Sequence, residues 1–256
     1  MSFRRNDSRR AVAAASGGGG VVPLAPTSID AANLTVWWDP GAGFAGGGSL
    51  GSGVYTTWTS ADGSSKVLTA IAGPTSTTNL NGHFAVTLNG SSQYFFEFDH
   101  VPADFFGASS WTCIYVEQDG GSPADSGFDF LNAAIFGSLT DGLIAIGVTA
   151  TQVYAGQDSS GTAYDKLAVT GGALNIVVVQ YDAVAGNIKQ AVNGGAFDAG
   201  TACGAIGASA NNMAFGKSGV IAAYVKGDCG DFAVWKSKLT TDEIASAVAY
   251  FQAKYA

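Results

Sequence analysis

Apolar and polar residues alternate over short stretches of this chain, and Gly, Asn and Asp interrupt the stretches roughly every eight to twelve residues. Side chains of a strand point to opposite faces in turn, so a period of two predicts strands with one buried face. Leu34–Asp39 and Val54–Trp58 read as the first two, separated by a Gly-rich loop at 41–53. Phe84–Leu88 and Tyr94–Phe98 follow as a pair, with Asn89-Gly90 between them as a hairpin turn. Trp111–Glu117, Gly142–Ala150, Ala173–Tyr181, Ile188–Val192, Met213–Gly216 and Gly230–Trp235 continue the series. Asn193-Gly194-Gly195 is a second hairpin signal. About a dozen strands with turns at this spacing predict an all-β sandwich of two packed antiparallel sheets.

The period changes to a helical one at the end. Ile244, Val248, Phe251 and Tyr255 recur on one side of a helix over 240–254, and that side must lie on an apolar surface. Thr240 and Glu243 form a capping box, and Leu239 and Ile244 fit the accompanying hydrophobic staple.

Composition supports the strands. Gly makes up 36 of 256 residues, Glu occurs three times, and charged residues are only 12%. Such a chain suits tight turns better than long helices. No run reaches the roughly eighteen apolar residues of a membrane-spanning helix. Cys113, Cys203 and Cys229 lack metal or redox spacing, which leaves thiols in the core or a covalent link to another chain.

The net charge of −8 is unevenly spread. Arg4, Arg5, Arg9 and Arg10 against Asp7 leave the first ten residues at +3, while eight lysines against nineteen acids leave the rest at −11. The body is therefore not expected to bind nucleic acid, which requires clustered cations. The basic decamer, an Ala stretch that is short for an export signal, and Gly17–Gly20 lead into Val21–Pro26. Residues 1–26 read as an extended arm with no signal peptide, and 27–256 as one domain.

Val36-Trp37-Trp38-Asp39, Phe84 to Ser91, Leu174–Tyr181, Asn193-Gly194 and the closing Gly227 to Tyr255 segment occur in an order that resembles the laminin G-like, or concanavalin A-like, jelly-roll superfamily. The resemblance covers roughly residues 33–256 and implies a jelly-roll sandwich of the type found in bacteriophage virion proteins and glycan-binding proteins. Its laminarinase-like enzymes carry E-x-D-x-x-E or E-x-D-x-E; here Glu97-Phe98-Asp99 is followed by His100, Val101 and Pro102, so the second Glu is missing. The chain is therefore expected not to be an enzyme, and hydrolysis through Glu97 is the minor alternative.

The resemblance also implies a calcium at the rim, for which Asp158, Asp165 and Asp228 are the loop candidates. Tyr154, Tyr164 and Tyr224 are the candidates for stacking on sugars, whereas Trp37, Trp111 and Trp235 sit in strand patterns and are expected in the core. The leading expectation is a bacteriophage virion structural protein, a capsid decoration, fibre or tail-associated protein. Its arm would bind other virion proteins through Arg4, Arg5, Arg9 and Arg10. A homo-oligomeric or lattice-bound state goes with that reading. The alternative is a carbohydrate-binding module for host surface glycan.

Overall fold

The computed structural model describes residues 21–96, 98–106, 109–120, 134–138, 144–149, 151–157, 164–205, 213–217 and 224–256. A 3-10 turn at Pro26–Ser28 precedes β1 (Leu34–Trp38), β2 (Phe44–Gly47), β3 (Val54–Thr59), β4 (Val67–Ile71), β5 (Thr75–Leu80), β6 (His83–Asn89) and β7 (Tyr94–Phe96). After a short helix α1 (Pro102–Phe105) come β8 (Trp111–Asp119), β9 (Ala134–Ser138), β10 (Ile144–Val148), β11 (Gln152–Gln157), β12 (Tyr164–Ala168), β13 (Leu174–Asp182) and β14 (Asn187–Val192). The chain ends with β15 (Thr201–Ala202), β16 (Met213–Phe215), β17 (Lys226–Trp235) and helix α2 (Thr241–Lys254).

Among the described residues all pairings are antiparallel and fall into two runs. In the first, β5 pairs with β6, β6 with β17, β17 with β8, β8 with β13, β13 with β14, and β14 with β15. On one edge of β17, β6 takes Lys226–Cys229 and β1 takes Phe232–Trp235. The second run is β2-β3-β4-β7-β16-β9-β10-β11-β12. One register position, Val54 opposite Thr75, joins the two.

Between the runs lies one core, in which Trp38, Val86, Tyr115, Val177 and Phe232 of the first meet Trp58, Leu68, Phe95, Ile146 and Phe215 of the second. A second core lies on the far face of the first run, where Trp37, Ile114, Val178 and Trp235 meet Val248 and Phe251 of α2 and Tyr255 just beyond it. The architecture is thus an all-β sandwich with a helix laid on one outer face. Strands β8 and β13 and the Phe232–Trp235 end of β17 are covered on both faces, which is why these stretches read as nearly continuous apolar runs. Trp37, Trp111 and Trp235 are all buried, at 9%, 0% and 0% exposure.

Thr240 caps α2 as its spacing predicts: its Oγ1 accepts from the Glu243 N–H at 3.3 Å, and Glu243 Oε2 accepts from the Thr240 N–H at 2.8 Å. The segment before β1 is tied to the same end of the fold. Leu24 N–H donates to Ser246 O at 3.2 Å, and Trp235 Nε1 donates to Ile29 O at 2.7 Å. Cys113 and Cys229 are buried, Cys203 is half-buried, and no disulfide links them.

One turn expectation is corrected. Asn89-Gly90 does not close a hairpin, because β6 pairs with β5 and β17 in one layer while β7 pairs with β4 and β16 in the other. Asn89 Oδ1 accepts from the N–H groups of Ser91, Ser92 and Gln93 at 3.0, 3.1 and 3.2 Å. Those side-chain bonds satisfy the donors that a two-residue turn would have placed in a ladder, so the chain can cross between sheets. Asn193-Gly194 does reverse the chain, but the strand that returns is the two-residue β15. The Gly-rich loop at 41–53 also contains a strand, β2, whose Gly46 lies so close to Val54 O that a Cβ would stand 1.8 Å from it.

Candidate functional site: an aromatic platform on the second sheet

Strand β7 places Phe95 in the core and turns Tyr94 and Phe96 to the outer face, where both are half-buried. Its neighbours hold it in register: Ile71 and Thr69 of β4 stand opposite Tyr94 and Phe96, and Ala214 of β16 stands opposite Phe96. Beyond β16, Lys217 forms a bridge with Tyr224 that closes the ends of the segment leading to β17. Gly216 makes this exit feasible. It has φ +88°, and a Cβ there would lie 2.5 Å from Leu88 Cδ1.

The result is a group of rings with a cation over them. Tyr94 and Tyr224 have centroids 6.0 Å apart, inclined at 49°. Lys217 Nζ lies 4.8 Å from the Tyr94 centroid and 5.6 Å from that of Tyr224. Phe96 and Phe98 pack edge-on at 4.4 Å, and Phe98 is 57% exposed. Beneath, Trp58 lies 5.7 Å from Phe95 and 5.4 Å from Phe215, so the platform rests on packed aromatic core. Rings held this way offer flat apolar faces, and two phenol hydroxyls and an ammonium offer polar contacts at their edge.

Of the residues expected to stack on sugars, Tyr224 belongs to this platform. Tyr154 does not qualify: it lies within β11 at 2% exposure, with no face available to a ligand. The side chain of Tyr164 lies outside the described residues. Tyr94 and Lys217 were not singled out from the sequence, since one lies in a strand pattern and the other follows one. Their only sequence signal was the alternation of Tyr94-Phe95-Phe96, which leaves two rings on the outer face.

Arg4, Arg5, Arg9, Arg10, Asp158 and Glu97 also lie outside the described residues. Glu117 is 1% exposed and accepts from Asn175 Nδ2 at 2.7 Å, between β8 and β13. Asp228 lies within β17, and its Oδ1 accepts from Thr87 Oγ1 and, at 3.2 Å, from Asn79 Nδ2. Asp165 lies within β12 at 5% exposure, accepting from Gln190 Nε2 at 3.2 Å and Thr201 Oγ1 at 3.1 Å. Among the described residues, no three His, Cys, Asp or Glu side chains converge as a metal would require. Asp165 and Asp228, expected in loops, lie within strands instead, where both oxygens of Asp165 and Oδ1 of Asp228 accept from side-chain donors.

Burial, with the neighbouring carboxyl of Asp198, pushes Asp165 up from 3.8 to about 6. The folded state then holds a proton that the unfolded chain releases near pH 4. The corresponding stability is complete below pH 3.8 and is lost as pH rises through about 6. Wild type should lose about 1–2 kcal/mol over that window relative to Asp165→Asn, allowing for solvent screening. Urea midpoints for the two proteins between pH 4 and pH 7 provide the check; parallel curves would refute this assignment.

No protein-family model matches the chain, and no curated protein matches it in sequence. Its fold does match solved structures. A Trypanosoma rangeli sialidase in complex with sialic acid aligns with TM-score 0.59 and 11% identity, over 93% of this chain and 36% of that one. Domain 4 of AbnA, a GH43 extracellular arabinanase from Geobacillus stearothermophilus in complex with arabinotriose, aligns with TM-score 0.52 and 13% identity, over 85% and 98%. The binding domain of botulinum neurotoxin DC in complex with rat synaptotagmin II aligns with TM-score 0.60 and 10% identity, over 86% and 52%.

These matches place the chain among jelly-roll-like β-sandwich domains. It spans about a third of the length of the sialidases it matches. They also overturn the expectation that the chain is not an enzyme: several of the matched structures are sialidases, at 9–11% identity, so a missing carboxylate pattern cannot set this fold apart from enzymes. At that identity the likeness extends to the fold and carries no activity with it.

Proposed function

We propose that this chain is a carbohydrate-binding β-sandwich module, with the Tyr94, Tyr224 and Lys217 platform as its sugar-contacting surface. The platform carries this reading, since half-buried rings held in place by a strand and a bridge offer stacking area at little cost in side-chain entropy. Support comes from the company the fold keeps, which includes a domain solved with arabinotriose and a sialidase solved with sialic acid. Tyr94→Ala and Tyr224→Ala should each weaken binding to a retained polysaccharide by about 10-fold or more without changing the melting temperature by more than a few degrees. Affinity electrophoresis, run with calcium and with chelator, reads both the platform and any metal requirement. Unchanged migration of both variants would sink the platform assignment.

The finer reading is a virion-borne module on a bacteriophage particle, anchored by the basic arm and contacting other virion proteins. Two observations favour it. All four arginines lie within the first ten residues, and the chain enters the body along α2, through the Leu24–Ser246 bond, rather than beside the platform. An arm that holds many copies on one lattice multiplies weak glycan contacts. Deleting residues 1–20 should abolish cosedimentation with particles and leave polysaccharide retention intact; cosedimentation at the wild-type level refutes the anchoring role.

A further inference from the structure

We propose that the ligand of the platform is an acidic glycan, with Lys217 binding its carboxylate or sulfate. The inference rests on the carbohydrate-binding reading above and narrows it to a substrate class. Lys217 Nζ lies over the faces of Tyr94 and Tyr224, at 4.8 and 5.6 Å from their centroids. Among the described residues, no carboxylate pairs with it. Other lysines of this acidic body do find carboxylates: Lys238 pairs with Asp182, and Lys254 pairs with Asp39 at 2.8 Å and with Asp231 at 2.7 Å.

Ring faces attract the ammonium through their quadrupoles but do not neutralise its charge or fully satisfy its three N–H donors. Lys217 is also half-buried, so part of its hydration is already lost before any ligand arrives. A cation kept partly desolvated, with no counter-charge among the described residues, is preorganised for an anion brought by the ligand. The two rings fix where that anion must lie, at the edge of a sugar stacked on Tyr94 and Tyr224. A neutral sugar would need only the rings. The surrounding net charge, −11 outside the first ten residues, repels anionic polymers in general, so discrimination must come from this local cation rather than from the overall field.

The test compares polygalacturonate, dextran sulfate and neutral dextran as ligands for the full-length chain and for Lys217→Gln and Lys217→Arg. An acidic polymer should bind more tightly than dextran. Lys217→Gln should lower the affinity for the acidic polymer by about 10-fold, and Lys217→Arg should retain most of it. Binding to only one of the two acidic polymers supports the proposal and identifies the anion. Dextran bound as tightly as both acidic polymers, or an acidic polymer bound equally by Lys217→Gln, overturns the proposal and leaves the carbohydrate-binding reading in place. Retention of none of the three by wild type overturns both. Thermal melts of the two variants separate loss of binding from loss of fold, and Lys217→Arg keeps the test decisive should Lys217→Gln be unstable.

Discussion

Asp231→Ala is expected to destabilise the protein by about 3–5 kcal/mol, because it removes the centre of a buried ionic network. Asp231 sits at an irregularity of β17, where the register with β8 shifts between Cys229 and Phe232. The extra residue turns Asp231, fully buried, toward the face that α2 covers. There its Oδ1 accepts from Trp37 Nε1 at 2.6 Å, and its Oδ2 accepts from Tyr255 Oη at 2.5 Å and from Lys254 Nζ at 2.7 Å. Asp39 holds the same Nζ at 2.8 Å. Gly230 clears the way: a Cβ there would lie 2.6 Å from Tyr255 Oη.

Burial works against the Lys254 ammonium, yet Asp231 and Asp39 together raise its pKa above the ordinary value. Removing Asp231 leaves the Trp37 N–H and the Tyr255 hydroxyl without that acceptor in a dry site, and this unmet desolvation is the main part of the cost. The Asp231→Leu, Lys254→Met pair should cost less than the two single changes summed, since it removes both charges together. Urea denaturation of the singles and the pair checks this, with amide exchange in α2 as the local probe. A loss below about 1 kcal/mol for Asp231→Ala would show that the network is not what holds the helix.

Trp58→Ala should cost a similar amount, about 3–5 kcal/mol, and should weaken glycan binding as well. Trp58 is fully buried, and its ring lies 6.2 Å from Trp38, 6.1 Å from Tyr55, 5.7 Å from Phe95 and 5.4 Å from Phe215. Its Nε1 donates to Asp39 O at 3.1 Å. Phe95 adjoins Tyr94 in β7, and Phe215 precedes Lys217 by two residues, so the cavity would open directly beneath the platform. Asp231 acts on the opposite face of the first sheet. The two variants should therefore separate: measured where each is still folded, Asp231→Ala should keep polysaccharide retention and Trp58→Ala should lose it. Equal retention by both would show that the platform does not depend on the core below it.

Much of this was legible because it rests on local patterns. The strand pattern of Leu34–Trp38, the apolar run of Leu174–Tyr181 and the 3.6-residue spacing from Ile244 to Tyr255 each name an element, and the last also names the face it buries. Thr240 and Glu243 set the start of α2 through bonds made within four residues. Tyr224 was identified as an aromatic beside a loop. The short strands β2 and β15 carried no such signal, since Phe44–Gly47 is half glycine and Thr201-Ala202 is too short for a period.

What the sequence determined by itself was the class of fold, the closing helix and the uneven placement of charge, all properties of neighbouring residues. Only the tertiary structure decided that Asn89-Gly90 carries the chain from one sheet to the other and that Tyr154 and Asp165 lie inside. It also brought Tyr94, Lys217 and Tyr224 together from positions up to 130 residues apart. The physical reason is that strand pairing joins segments of any separation, so which side chains share an outer face depends on the register of β4, β7 and β16 and not on any spacing along the chain.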